Sequence, residues 1–383
     1  MINLVKDTIN REDITALVNW LNQDPIPRLT KGELTKELEE KWAKMLGSKH
    51  SIFVNSGSSA ILLSLYSLFI SGKLKNKKII VPGLSWITDI SSVLQLGFEP
   101  ILCDCNLDDL SLDLNHLNLL IKEHNPASVI LVSVLGLVPN MDDILEICDK
   151  HKIILIEDMC EAMNSSYNGE KLGTFGVVSM FSTYFGHAIS TIEGGFSNTS
   201  DEELATTMLS CRNHGWDRDL DEKTKNSLKT KYNIDDFNQM YTFYYPGFNL
   251  RSTDLQAFLG LQQLNKLNLY TKNRFKNFLQ YKNELKDINE LKLPIRKNDF
   301  ISNLAFPIVM KNRNDIVKKL KANDIEIRPL ISGNIGRQPF WVNLYGETKL
   351  KNCDYIHNYG FYLPNHQDLT SKEISFICNL IKS

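Results

Sequence analysis

The stretch "ASVILVSVLGLVPNMDDILEICDKHKIILIEDMC", residues 127–160, decides the fold. It opens and closes on apolar runs, "ASVILVSVLG" (127–136) and "KIILIEDMC" (152–160). Both are short and nearly continuous in Val, Ile and Leu, the pattern of strands buried on both faces. Between them, "NMDDILEICDKH" (140–151) sets Ile144, Leu145 and Ile147 on a polar background, which predicts a helix with one apolar face. Strand, helix and strand in this space predict a unit of parallel sheet with its helix laid across one side.

The same alternation extends from about residue 50 to 200. "HSIFVNS" (50–56), "KKIIVPG" (77–83) and "EPILCDC" (99–105) predict further buried strands. The last third reads differently: "LAFPIVMKN" (304–312) predicts a strand and "RNDIVKKLKANDI" (313–325) a helix ending near "EIRPLIS" (326–332). The expected architecture is α/β: a large domain over 1–250 with a mostly parallel sheet between helical layers, and a smaller α+β domain over 251–383.

Apolar residues make up 43% and charged residues 23% of the chain, an ordinary balance for a globular protein with a sizeable core. The net charge of −2 offers no footprint for nucleic acid. "MINLVKDTINRED" lacks the apolar core of a signal peptide. The longest apolar run, "AILLSLYSLFI" (60–70), is too short for a bilayer and predicts a buried helix. A cytoplasmic protein without a membrane partner is the expectation. Seven cysteines, without regular spacing, argue against a disulfide scaffold. Cys103 and Cys105 have no partner pair nearby in sequence, so no metal site is expected.

"NSGSSA" (55–60) lies between a predicted strand and an apolar helix. Free backbone amides at such a helix start can cup a phosphate, although a glycine turn with a serine cap is the reading the stretch favours when taken alone. Asp158, in "IEDMCEA" (156–162), falls at a strand's carboxyl end, where open α/β sheets bind ligands. A buried carboxylate there needs a positive partner, such as a protonated heterocyclic nitrogen; a helix cap is the alternative. Trp86 follows a predicted strand and could stack on a flat ring or sit in the core. "RNHGWDRD" (212–219) puts His214 and Trp216 in a loop, and "YYPGFNLRSTDLQAFLGLQQL" (244–264) puts Asn249 and Arg251 before a long helix. "STYFGHAISTIEGGF" (182–196) reads as a loop that carries His187 and ends in a glycine turn at Gly194 and Gly195.

In this order and spacing the pieces resemble the nucleotide-sugar aminotransferases of DegT/StrS type, pyridoxal phosphate (PLP) enzymes of the aspartate aminotransferase fold type I. The resemblance rests on "NSGSSA", "VPGLSW", "CDCNLDDLSLD", "IEDMCEA", "GTFG", "FSTYFGH" with "EGG", "NHGW" and "PGFNLRSTDLQAFLGLQQL", which run over nearly the whole chain. It implies a seven-stranded sheet, PLP or its amine form, pyridoxamine phosphate (PMP), as cofactor, and a homodimer with shared active sites. Asp158 would pair with the ring nitrogen, Trp86 would cover a ring face, and Glu161 would lie near the ring hydroxyl. Gly57, Ser58, Ser182 and Asn249 would hold the phosphate, with Asn249 reaching across from the second subunit. His214, Arg251 and Arg328 would serve the substrate or amino-donor pocket.

That family carries a cofactor-binding lysine where His187 stands. The register is set by Ser182 before it and by Glu193, Gly194 and Gly195 after it. One branch does have histidine there and removes the C3 hydroxyl of a GDP-linked 4-keto-6-deoxymannose; the "GH", "HGW" and "NHQ" (365–367) strings resemble it. A related CDP-sugar branch uses an iron–sulfur cluster with grouped cysteines, which this sequence lacks. The resemblance therefore implies a 3-dehydratase. PMP takes the sugar's C4 ketone, His187 moves the proton that lets the C3 hydroxyl leave, and the 3-deoxy-4-keto sugar departs with ammonia. Glutamate then restores PMP. An imidazole suits this work because its ordinary pKa is near neutrality. Competing readings are an aminotransferase with a variant histidine and an inactive PLP-fold binding protein.

Overall fold

The computed structural model describes residues 1–383. Strands β1 (His50–Val54), β2 (Lys78–Pro82), β3 (Glu99–Cys103), β4 (Ser128–Val132) and β5 (Ile154–Asp158) come first. A small hairpin, β6 (Ser166–Tyr167) and β7 (Glu170–Lys171), precedes β8 (Val178–Ser182) and β9 (Gly195–Thr199). All but the hairpin form one seven-stranded sheet in the order β1-β9-β8-β5-β4-β2-β3. Only β9 runs against its neighbours; the pairings of β2 with β3 and β4, β4 with β5 and β5 with β8 are parallel. The sheet is thus mostly parallel and seven-stranded, as the strand–helix alternation and the family resemblance led one to expect.

The helices before the sheet ends are α1 (Arg11–Leu21), α2 (Glu33–Leu46), α3 (Gly57–Ile70), α4 (Ile87–Gln95), α5 (Leu114–His124) and α6 (Met141–His151). After it come α7 (Glu202–Arg212), α8 (Glu222–Tyr232) and the 32-residue α9 (Asp254–Leu285). In α6, Met141, Ile144 and Cys148 are buried, with Asp142 and Asp143 in the first turn and Lys150 and His151 in the last, each matched to the helix dipole. Helix α3 is apolar nearly all round because it is enclosed, with α4, α7, β8 and β9 around it.

Strand β4 ends sooner than its apolar run. Val134–Gly136 form a 3-10 turn in which Leu135 has φ 53°, so the chain leaves the sheet before the hydrophobic pattern stops. Beyond α9, β10 (Phe306–Val309), β11 (Arg328–Pro329) and β12 (Gly360–Leu363) make a three-stranded antiparallel sheet ordered β10-β12-β11. It packs with α10 (Arg313–Ala322), α11 (Pro339–Tyr345), α12 (Lys351–Tyr359) and α13 (Ser371–Lys382). The chain's first residues cross to this side, where the Ile2 amide donates to the Asp324 carbonyl at 2.8 Å. A single cluster of 86 buried apolar residues runs through both sheets, so the small sheet is braced against the large one.

Three ligand-type side chains, Asp104, Cys105 and Cys353, meet where β3 approaches α12; the two thiol sulfurs are 3.6 Å apart. Sequence spacing could not show this group, since Cys353 lies 248 residues from Cys105. The Asp104 oxygens accept from the amides of Cys105, Asn352 and Cys353 at 2.9 Å, so they cap the start of α12. No helix is long and apolar enough to cross a membrane.

Candidate active site

The carboxyl ends of β1, β2, β5 and β8 converge on one edge of the sheet, and the side chains singled out in the sequence cluster there. Ser56 caps α3 by accepting from the Ser59 amide at 3.1 Å. The amides of Gly57 and Ser58 are left as open first-turn donors. Ser182, at the end of β8, abuts this turn: a Cβ on Gly57 would lie 2.7 Å from Ser182 Cβ and 3.1 Å from its hydroxyl. Two amides, a hydroxyl and a helix N-terminus thus share one small cradle, the donor set of an anion site.

Glycines 194 and 195 are not the turn that the sequence suggests. Neither has a positive φ, and Gly195 already belongs to β9. They are small because of close approach. A Cβ on Gly195 would strike the Gly57 amide and the Ser56 carbonyl at 2.6 Å, and one on Gly194 would lie 2.3 Å from Thr191 Oγ1. The loop between β8 and β9 is closed on itself: Thr191 N donates to Thr183 O at 2.9 Å, and the two threonine hydroxyls are 2.5 Å apart. His187 rides on this loop. Its amide donates to Tyr184 O at 3.0 Å, and its Nδ1 is buried without a partner.

Asp158 is buried, accepts from the Cys160 amide at 2.9 Å and has no cationic side chain beside it. Behind it lies Asp89 of α4, fully buried, with one oxygen unpartnered and the other taken by Ser85 Oγ. Burial pushes both carboxyls up, Asp89 well up, and the charge of Asp158 adds to the rise at Asp89. Two buried carboxyls with no counter-charge need either protons or an added cation. Glu161 accepts from the Leu135 amide at 2.6 Å and is pushed up to about 7, mainly by burial. Trp86, at the start of α4, is 60% exposed, so its ring is bare rather than part of the core.

His187 departs from the expectation of a near-neutral pKa. Burial, and after it the charge of Arg274, hold the imidazole down to about 4. The ring is therefore unprotonated at neutral pH, ready to accept a proton. Once protonated it is a stronger acid than free imidazolium.

The remaining sequence candidates lie outside this cluster. "NHGW" and "PGFN" pack against each other: His214 N donates to Phe248 O at 2.7 Å, and a Cβ on Gly215 would meet Tyr245 O at 1.8 Å. Asn249 turns its side-chain oxygen to Arg251 Nε at 3.1 Å instead of to the α3 cradle of the same chain. Arg251 lines a neighbouring cleft of about 720 Å³ with Arg28, Lys31 and Arg218. Arg328 sits on β11 across from Tyr362, whose hydroxyl is pushed up to about 12 by burial and by the charge of Glu161. That places this end of the small sheet near the site. Asp89, Arg274 and Tyr362 were not singled out in the sequence. Of these only Asp89 had a local signal, a carboxylate three residues after Trp86.

The sequence pattern of the DegT/DnrJ/EryC1/StrS aminotransferase family matches residues 7–382. The GDP-4-keto-6-deoxy-D-mannose 3-dehydratase of Yersinia pseudotuberculosis is 32% identical, with 100% of this chain and 99% of that protein covered. A solved GDP-4-keto-6-deoxymannose-3-dehydratase with a trapped PLP–glutamate geminal diamine superposes with a TM-score of 0.89 at 28% identity, covering 99% of this chain and 100% of that one. The UDP-4-amino-4,6-dideoxy-N-acetyl-beta-L-altrosamine transaminase of Helicobacter pylori is 27% identical over 97% of this chain and 95% of that protein.

Proposed function

The chain belongs to the DegT/DnrJ/EryC1/StrS aminotransferase family, and from its site we propose that it is a PLP/PMP-dependent 3-dehydratase of a nucleotide-linked 4-keto-6-deoxy sugar, of the GDP-4-keto-6-deoxymannose type. Glutamate restores the amine form of the cofactor. The observation that carries the reading is His187: a base that cannot hold the cofactor covalently stands where the family motif has its lysine. The nearest preceding lysine, Lys171, is bonded to Asn164 at the β6–β7 hairpin, with Nζ 3.2 Å from its carbonyl.

The residues fit the cofactor. The α3 cradle with Ser182 matches its phosphate, and the cation-free Asp158 and Asp89 pair matches a protonated ring nitrogen. When bound, PMP supplies the amine that joins the sugar's ketone and a conjugated ring that takes up electrons. Asp158 would keep the ring nitrogen protonated, and Trp86 would cover a ring face. Glu161, held by the Leu135 amide, would lie near the ring hydroxyl. His187, neutral at the outset, would accept a proton at the cofactor's C4′ carbon and would hand one to the departing C3 hydroxyl. A low pKa suits the second task as well as the first, because it makes the imidazolium a ready donor.

The Asn249 side-chain oxygen is taken by Arg251, and in a homodimer these two residues would complete the partner's site. His214 lies beside this segment, its amide bonded to Phe248 O, and Arg328 approaches from the small sheet. Residues 1–250 serve as the cofactor domain and 251–383 as the smaller domain. A cytoplasmic location, with no nucleic-acid or membrane partner, completes the proposal. The test is incubation with GDP-4-keto-6-deoxymannose, PLP and glutamate. The expected product lacks one oxygen, and ammonia and 2-oxoglutarate appear with it. A 4-amino sugar as product would instead establish the aminotransferase reading, and no turnover with retained sugar binding the inactive one.

A further inference from the structure

Arg274, in the middle of α9, is 1% exposed and has no carboxylate partner. Its guanidinium donates only to backbone carbonyls: Leu304 at 2.9 Å, Asn365 at 2.6 Å and His187 at 3.3 Å. Its Nε is buried and unpartnered. The Asn365 side chain donates back to Arg274 O at 3.1 Å and to Asn303 Oδ1 at 2.9 Å, and Asn277 donates to Asn365 Oδ1 at 3.1 Å. A dense polar lattice from α9 and the turn after β12 is therefore built around one uncompensated charge. A buried cation without an anion is costly, and packing alone does not call for it. Arg212, equally buried, shows the usual solution, with Glu39 and Asp219 against it.

The one site element that Arg274 touches is the His187 loop. We propose that Arg274 is a positioning residue for the His187 base: it pins the backbone of the histidine from below and presents to the ring a positive charge that disfavours a second one. The other titratable groups around the pocket are Tyr184 on the same loop, His366 beside Arg274, Asp158 at the end of β5, Glu161 after it, and Asp89 on α4. Of these, His366 is itself held down by burial and then by Arg274. The low pKa of His187 agrees with this assignment.

The inference rests on the dehydratase reading only for the name of the reaction, so its test begins without cofactor or sugar. The chain has eight histidines, and the ring resonance of His187 is the one lost in His187→Asn. In the parent it should stay in the neutral form to about pH 4. In Arg274→Gln it should begin to titrate at higher pH, toward the ordinary value of about 6.5; an unchanged titration overturns the proposal. Arg274→Lys keeps the charge but cannot span three carbonyls. It should leave the titration in place while slowing the glutamate half-reaction, read from the cofactor's absorbance, by ~10²-fold with glutamate affinity kept. If Arg274→Gln does not fold, Arg274→Lys decides: the parental rate refutes positioning, and a slowed rate with parental titration and affinity supports it. Because the glutamate half-reaction is common to dehydratase and transaminase, failure of the sugar assay would not touch this result.

Discussion

The proposed chemistry turns on His187. Replacement by asparagine keeps its size and removes its proton transfer. Dehydration should fall by about 10²–10⁴-fold, while cofactor titration by fluorescence or absorbance shows binding retained, since the α3 cradle and Asp158 are untouched. His187→Lys should do the opposite to the cofactor. Borohydride treatment and denaturing mass spectrometry should find it attached covalently at position 187, whereas the parent shows no adduct there. Glu161 makes a second residue-scale prediction. Its carboxyl is raised from the ordinary 4.5 to about 7, so the folded chain holds a proton that the unfolded chain has released. Stability from this group is full below pH 4.5 and is lost as pH rises through 7, by at most ~3 kcal/mol. Glu161→Gln, whose oxygen can still accept from Leu135, should flatten that part of the pH dependence in denaturant unfolding of the cofactor-free protein. An unchanged slope would mean that the carboxyl ionises normally.

At the scale of elements, the site depends on how closely β9, the start of α3 and the end of β8 approach one another. Gly57 is the hinge of that contact, with Ser182 on one side and Gly195 on the other. Gly57→Ala puts a methyl 2.7 Å from Ser182 Cβ, a separation that forces α3 and β8 apart. The expected cost in stability is ~1–3 kcal/mol. Phosphate-bearing cofactor should bind at least tenfold more weakly, whereas the dephosphorylated form is affected far less. Equal losses for both forms would remove the cradle from the phosphate. Strands β1 to β5 could be read from their apolar runs, because strands buried on both faces have to be apolar throughout; β8 and β9, "VSMFS" and "GFSNT", are just as buried but write no such run. The end of β4 could not: Val134 and Leu135 look like strand, but Glu161 draws the Leu135 amide out of the sheet. The glycine pair misled for a similar reason, since a glycine needed for space cannot be told in sequence from one needed for a turn.

For the whole molecule, the segment from α8 to Tyr245 leaves Phe237 84%, Tyr241 67% and Met240 59% exposed beside the cleft that Arg251 lines. An apolar arm of this kind fits cover by a second copy. Phe237→Asp with Tyr241→Asp should shift the protein toward monomer in light scattering and abolish turnover, although each chain keeps its own cradle. Sharing of sites gives a sharper expectation. His187→Asn and Asn249→Ala chains, each inactive alone, should regain activity when mixed and reassembled, because half the sites in a mixed dimer carry neither change. No recovery would assign Asn249 to its own chain's site.

The sequence by itself determined the α/β architecture and the family, because strand burial writes a continuous apolar run and an ordered set of motifs survives in register over the whole chain. It also placed Asp158, Ser182 and His187 at strand ends and loops, the positions from which an open sheet presents its ligands. Tertiary structure alone decided what surrounds them. Asp89 meets Asp158, Arg274 reaches His187 from 87 residues away, and Tyr362 approaches Glu161 from the small sheet. Those approaches set the charge that each group feels, and charge depends on distance through space, which sequence separation does not record.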